Sequence, residues 1–332
     1  MAVKGNISWG ILGSGRIANK FAVSMSVAKG AIVTAVASRT AGKAREFAGK
    51  YGISAHYDKY EDLVVRDDID AVYVATTHNF HYENIKLALE NGKHVLCEKP
   101  LTVNGREARE VINLSRRKRL FLMEGMWTRF LPAIVRLREL LRDGAIGEIR
   151  QVRADLGFRS EFNPESRLLR RDLAGGALLD VGVYPLSFSS MVMGERPKEI
   201  KAVGEIGSTG VDEQSAYLLA YDDGRISMLS SAIRTALNNR AEVIGTEGRI
   251  VVPPVFFKGK SVELQKNGEE PVVFEHSFVD QEGFSFEIEE ASNAIHSGKT
   301  ESTIMPLDET LAQMETIDEI KRQLGLVYPN DR

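Results

Sequence analysis

A single cysteine, Cys97, stands in the 332-residue chain, so no intrachain disulfide can form, which suits a reducing cytoplasmic compartment. Long apolar runs are missing as well. The stretch behind the amino terminus reaches only strand length, and neither a signal peptide nor a membrane span is expected. Charge of one sign is not in excess: 43 Lys and Arg against 46 Asp and Glu leave a net charge of −3. That balance carries no polyelectrolyte footprint, so nucleic acid is not the expected partner. Internal repeats, low-complexity segments and Pro/Ser-rich linkers are absent, as is a Gly-x-Ser-x-Gly nucleophile elbow. What remains is a soluble chain, 43% hydrophobic and long enough for two cores.

The most informative segment present is Gly13-Ser14-Gly15-Arg16-Ile17-Ala18, directly behind the apolar run Ile7 to Leu12. In a G-x-G-x-x-G/A fingerprint the first glycine makes the strand-to-helix turn, and the second lets backbone N–H groups approach a pyrophosphate at a helix N-terminus. Ile17, Phe21 and Met25 follow at helical spacing, the context the fingerprint requires. Strand and helix then alternate. Strands are expected at Ile32 to Ser38, Ala71 to Thr76 and His94 to Cys97, and helices around Lys43 to Tyr51 and Glu83 to Asn91, with Tyr57 to Leu63 leading to Ala71 to Thr76. The alternation predicts a doubly wound parallel sheet, a Rossmann domain over residues 1–123 with Gly13, Ser38, Thr76 and Glu98 at the strands' carboxyl ends, where ligands bind.

From about Ser208 the rhythm changes to short alternating strands, Ala216 to Tyr221, Ile226 to Ser231, Arg240 to Ile244, Arg249 to Val252, Ser261 to Lys266 and Pro271 to Phe274, parted by turns such as Asn267-Gly268. The pattern predicts a mostly antiparallel sheet in a second α/β domain, residues 124–332. Helices are expected around Phe284 to His296 and over Leu307 to Leu324, the last able to pack back on the first domain. The cofactor's identity is read at the end of the second strand. An NAD-selective pocket places Asp or Glu about 20 residues past the glycines, whereas an arginine suits a 2′-phosphate. Here the residues are Ser38-Arg39-Thr40, which favours NADP, with NAD still possible; alternatively Arg39 only begins a solvated loop.

The chain resembles the Gfo/Idh/MocA oxidoreductases. The resemblance rests on Gly10 to Ala18, on Leu89 to Glu98 running into Lys99-Pro100, and on Gly175-Gly176-Ala177-Leu178-Leu179-Asp180-Val181-Gly182. Within the family, Glu124 to Phe130 and Asp180-Val181-Gly182-Val183-Tyr184 look like the branch that contains dimeric dihydrodiol dehydrogenases and NADP-dependent D-xylose dehydrogenases. The resemblance implies a Rossmann domain, an α/β domain whose open sheet forms a subunit interface, and hydride transfer between the nicotinamide and a sugar or cyclic diol. It also implies that Gly13, Gly15, Arg16, Ile17, Ser38, Arg39, Thr76, His81, Glu98 and Lys99 surround the cofactor. Many relatives carry histidine where this chain has Tyr184, so a histidine-based mechanism does not transfer.

Physical chemistry points to the same residues. Oxidising a carbinol requires a group that takes the hydroxyl proton. Lys99 follows a buried strand, where partial desolvation would poise it for that task, and Tyr184 is the second member of the expected pair. Asp180, four residues from Tyr184, shares its helical face and would orient Lys99 or the substrate. Which member handles the proton is open at this point. Trp127 is either an aromatic wall for the substrate ring or ordinary interdomain packing, and the roles of Arg167, Arg170 and Arg171 are not separable. His78 and His81 lack a companion carboxylate or thiol, so no metal is expected. The family also includes regulators that bind a nicotinamide dinucleotide without turnover, and a sensor of that kind is the alternative to an enzyme.

Overall fold

The computed structural model describes residues 5–194 and 196–332. The chain forms two compact units, one of residues 1–102, 106–127 and 279–310, the other of 103–105, 128–278 and 311–332. The chain passes into the second unit after Trp127. Its return to the first unit at 279–310 is a feature that the strand and helix pattern did not specify.

In the first unit, β1 (Ile7–Leu12), β2 (Ala31–Ala37), β3 (Ala55–Tyr57), β4 (Ala71–Val74), β5 (His94–Glu98) and β6 (Leu122–Gly125) form a parallel sheet in the order β3-β2-β1-β4-β5-β6. α1 (Arg16–Met25), α2 (Lys43–Tyr51), α3 (Tyr60–Val64), α4 (His81–Glu90) and α5 (Gly105–Lys118) are the crossovers and cover its faces. Every residue of β4 is buried, because a parallel strand covered on both faces reads as a continuous apolar run. This order reverses between β1 and β4, and open α/β sheets bind ligands outside the strand ends at such a switch point. The span Tyr57 to Leu63 resolves into the last residue of β3 and most of α3.

The second unit holds α6 (Pro132–Arg142), β7 (Ile149–Gly157), a π-helical turn (Leu178–Gly182) that runs on into α7 (Val183–Met193), and seven more strands. These are β8 (Glu199–Ile206), β9 (Asp212–Ala220), β10 (Ile226–Ala232), β11 (Ala241–Gly245), β12 (Gly248–Val252), β13 (Ser261–Lys266) and β14 (Val272–Glu275). The sheet order is β14-β13-β12-β11-β7-β10-β9-β8, antiparallel except where β7 meets β10. β7 and β8 precede the point where alternation was expected to begin. β7 is legible afterwards, since buried Val152, Ala154 and Leu156 alternate with half-buried Gln151, exposed Arg153 and half-buried Asp155, whereas β8 is mostly exposed and gives little signal. One face of this sheet packs on α7. The helical stretch Arg171–Met193 is long and apolar enough to cross a membrane by composition, and most of it lies buried inside the protein.

The chain then returns to the first unit as α8 (Ser285–His296), where the Trp9 indole N–H donates to the Ser292 hydroxyl at 3.3 Å. α9 (Leu307–Leu324) begins in the first unit and continues into the second.

Candidate active site

Gly13 follows β1 at φ 104°, and a Cβ there would lie 2.7 Å from the Ala75 carbonyl oxygen beyond β4. Glycine is therefore required by both backbone conformation and close approach at the switch point. Gly15 is different: a Cβ on it would meet no heavy atom within 4 Å, and it precedes α1 without a side-chain cap. A bare glycine before an uncapped helix N-terminus leaves backbone donors open to an anion, so the residues present fit a dinucleotide pyrophosphate. Arg16 and Ile17 open α1 at that point.

At the end of β2, Ser38 is buried and its hydroxyl accepts a hydrogen bond from Ser14 at 3.0 Å, tying the glycine turn to the neighbouring strand end. Arg39 follows it, exposed, with its guanidinium 4.1 Å from the Phe80 ring centroid and 5.3 Å from that of Tyr60. Two aromatic rings thus hold a cation just past the end of β2.

His81 is fully buried at the start of α4. Its Nδ1 lies 2.8 Å from the Pro100 carbonyl oxygen and its Nε2 3.2 Å from that of Thr76. The ring is therefore a strut between the end of β4 and the Glu98-Lys99-Pro100 turn, and Asn84 braces the same place by donating to the Thr76 hydroxyl at 3.0 Å. The Glu98 carboxyl is buried and accepts from the Tyr73 hydroxyl, whose ring stacks on Phe21 at 3.7 Å. Burial pushes the Glu98 carboxyl up, and the Tyr73 hydroxyl and the Lys99 ammonium pull it part of the way back. Glu287 of α8, wholly buried with neither carboxyl oxygen hydrogen-bonded among the described residues, is pushed well above the usual carboxylate range by burial and then by Glu98. The sequence does not mark Glu287 as buried, since α8 carries three glutamates, Glu287, Glu289 and Glu290. Trp127 is only 4% exposed and stacks on Phe284 at 5.1 Å, so packing inside the first unit accounts for its burial.

In the second unit, Asp180 lies in the π-helical turn and Tyr184 in the first turn of α7, so the two are on one continuous helical stretch. Single π-turns inside helices recur at functional sites. Arg167 donates to Asp180 at 3.0 Å, which separates it from Arg170, bound instead to Asp172. Tyr184 is half-buried with its ring 5.5 Å from that of Phe257. Arg129, 2% exposed, donates through Nε to the Ser187 hydroxyl at 2.8 Å and through Nη2 to the Ser187 carbonyl at 2.7 Å, anchoring the same helix. These partners lie far from α7 in sequence, and no local pattern announces them. Among the described residues no group of three or more His, Cys, Asp or Glu is placed to hold a metal ion.

Comparison with known proteins agrees with this architecture. Residues 7–126 match an oxidoreductase family model with an NAD-binding Rossmann fold, and residues 134–251 match the GFO/IDH/MocA C-terminal domain. The chain is 39% identical to trans-1,2-dihydrobenzene-1,2-diol dehydrogenase of Xenopus laevis over 97% of this chain and 99% of that protein. It is 36% identical to the Homo sapiens protein of the same name, over 98% and 99%. Among solved structures, aldose-aldose oxidoreductase from Caulobacter crescentus, complexed with glycerol, superposes with a TM-score of 0.87 at 27% identity, covering 96% of this chain and 97% of that one. A 3-ketoreductase from Actinomadura kijaniata bound to NADP and TDP-benzene gives 0.82 at 28%, covering 96% and 98%. The paired glycine turn, the Glu98-Lys99-Pro100 strand end and the Asp180 to Tyr184 helix thus belong to a member of the Gfo/Idh/MocA oxidoreductase family.

Proposed function

We propose that the protein is an NADP-preferring dehydrogenase or reductase that interconverts a carbinol and a carbonyl on a sugar or cyclic diol. The observation that carries this reading is the placement of Lys99 at the carboxyl end of β5, in the same unit as the Gly13 turn and braced to it through His81 and Thr76. Relatives named as diol dehydrogenases, similar over nearly the whole chain, support the reaction class. When bound, the nicotinamide takes hydride from the carbinol carbon or returns it to the carbonyl.

The chain's own residues do the rest. Gly15 and the N-terminus of α1 bind the pyrophosphate, and Arg39 pairs with a ribose 2′-phosphate through charge-assisted hydrogen bonds. The hydroxyl proton is handled by Lys99 or by Tyr184, the two side chains of the expected pair. Asp180, held by Arg167, orients the substrate hydroxyls. The buried Cys97 takes no part, since burial pushes its thiol far up and away from the reactive thiolate. The reading includes a cytoplasmic location and a homo-oligomer formed through the open face of the second sheet.

The test is NADP⁺ reduction with a panel of aldoses and trans-diols, wild type against Lys99→Met. Loss of general acid–base help should lower kcat by about 10² to 10⁴, with NADP⁺ affinity changed by less than about threefold. Tight NADP⁺ binding without lysine-dependent turnover of any substrate would overturn the enzyme in favour of a dinucleotide sensor.

A further inference from the structure

The helix that carries Asp180 and Tyr184 starts on a buried carboxylate that no part of the reaction above uses. Asp212, the first residue of β9, is wholly buried, and its Oδ2 accepts the backbone N–H of Leu178 at 2.7 Å. Its other oxygen, Oδ1, has no hydrogen-bond partner among the described residues. A Cβ on Gly176 would fall 2.3 Å from that oxygen, and Gly176 sits at φ 111°, so the turn before the helix is shaped around this carboxyl.

From Asp212 a chain of hydroxyls runs beneath the π-helical turn. Ser215 lies 3.4 Å from Asp212 Oδ2 and 2.6 Å from the Tyr217 hydroxyl, which is 2.6 Å from Ser231 of β10. At the far end of the turn, a Cβ on Gly182 would stand 3.0 Å from both Ser231 Oγ and Tyr217 Oη. Both ends of the turn thus rest, through glycines, on one buried polar chain whose charged end is Asp212. Tyr328 completes the surround by donating to the Gly175 carbonyl at 2.5 Å.

We propose that Asp212 is a positioning residue for the reaction: its carboxylate caps the Ala177–Leu178 start of the helix, and the cap sets the placement of Asp180 and Tyr184. The inference rests on the reading of those two as site residues. A carboxylate accepting helix N-terminal N–H groups is a stronger cap than a neutral carboxyl, because both the hydrogen bonds and the helix dipole favour the charge. Burial nevertheless pushes Asp212 up to about 6, with the N–H groups of Leu178 and Ala177 and the Ser215 hydroxyl opposing that rise. The ionisable groups facing it are the phenols of Tyr217 and Tyr328, both held in the neutral form by burial and by Asp212 itself. The π-helical turn contributes Asp180, already bound to Arg167.

Two opposite pH dependences follow. Ionised Asp212 holds the catalytic helix in place, so turnover falls as pH drops through about 6. Its folded value lies above the unfolded 3.8, so its contribution to global stability is full below the unfolded value and lost as pH rises through about 6. Asp212→Asn keeps the shape and one acceptor but cannot titrate. It should lower kcat about three- to thirtyfold at pH 8, leave the KM for NADP⁺ unchanged, and remove this acid limb of kcat, while its stability relative to wild type increases with pH. Ser215→Ala, which removes an interaction that lowers Asp212, should move the wild-type acid limb to higher pH and serves if the asparagine variant does not fold.

Hydrogen exchange of peptides covering Gly176 to Tyr184, corrected for intrinsic rates and read against α9, follows the cap without any substrate. Protection in the wild type should fall from about pH 8 to about pH 5 and stay level in Asp212→Asn. A kcat profile of Asp212→Asn that parallels wild type at all pH, an acid limb unmoved in Ser215→Ala, or level exchange protection in the wild type would each overturn the proposal. Failure of every carbinol substrate would sink the dehydrogenase reading alone, because the exchange measurement still decides whether Asp212 caps the helix.

Discussion

Arg39 is the side chain on which the proposed preference for NADP turns. Its guanidinium is exposed but confined between the rings of Phe80 and Tyr60, so little rotamer entropy is left to lose when a phosphate arrives. No carboxylate stands at the end of β2 to accept hydrogen bonds from a ribose 2′-OH; the residues there are Ser38, Arg39 and Thr40. A charge-assisted hydrogen bond contributes about 1.5–3 kcal/mol, or roughly 10- to 100-fold in affinity. Arg39→Ala should therefore weaken NADP⁺ binding by about that factor and change NAD⁺ binding by less than about threefold. Fluorescence titration with both dinucleotides checks it, and an equal loss for the two would show that Arg39 does not read the phosphate.

At the scale of elements, the β1–turn–α1 unit separates two uses of glycine that look identical in sequence. Gly13 is needed by the fold: φ is 104°, and a Cβ would press on the Ala75 carbonyl. Gly15 is not needed by the fold, since its φ is −76° and the space beside it is open, and in the proposed function it is the ligand that needs it bare. Gly13→Ala should cost about 2–4 kcal/mol in urea unfolding, and Gly15→Ala less than about 1 kcal/mol while abolishing measurable dinucleotide binding. Equal stability loss in both variants would refute the division. The same unit shows what the sequence makes legible. A parallel sheet covered by helices writes itself as apolar runs separated by glycine turns, and helices α2 and α9 fall on the residues that periodicity marks, 43–51 and 307–324. The second sheet is less legible because one face is bare: β8 has almost no buried position, and its exposed Val203 and Ile206 blur the alternation. The site divides in the same way. Lys99, Asp180 and Tyr184 lie in short contiguous motifs, whereas the Arg167 partner of Asp180 and the Asp212 cap of Leu178, 34 residues away, are brought in only by folding.

For the whole molecule, the question left by the second sheet is what covers its open face. Val203, Leu218, Ile226 and Met228 are exposed on adjacent strands, with Val203 at 72% and Leu218 at 49%. In the ladder Leu218 stands directly opposite Met228, so their side chains form one apolar patch and not scattered exposures. Contiguous patches on an otherwise charged surface mark interaction sites, and a twofold copy of the same sheet supplies a complementary surface without any new partner. The net charge of −3 is too small for self-repulsion to oppose such pairing. Leu218→Glu with Met228→Glu tests this at little cost to the single chain. Both positions face solvent, and Arg153 on β7 lies beside Met228 in register to compensate one of the new carboxylates. A dimer would instead bury four carboxylates at its centre, the two at position 218 with no such cation beside them, a penalty of several kcal/mol per desolvated charge. Sedimentation should show the wild type as a homo-oligomer and the double variant as a monomer, with thermal unfolding of the separated chain little changed. A monomeric wild type, or a variant that keeps the wild-type mass, would mean that this face serves another purpose.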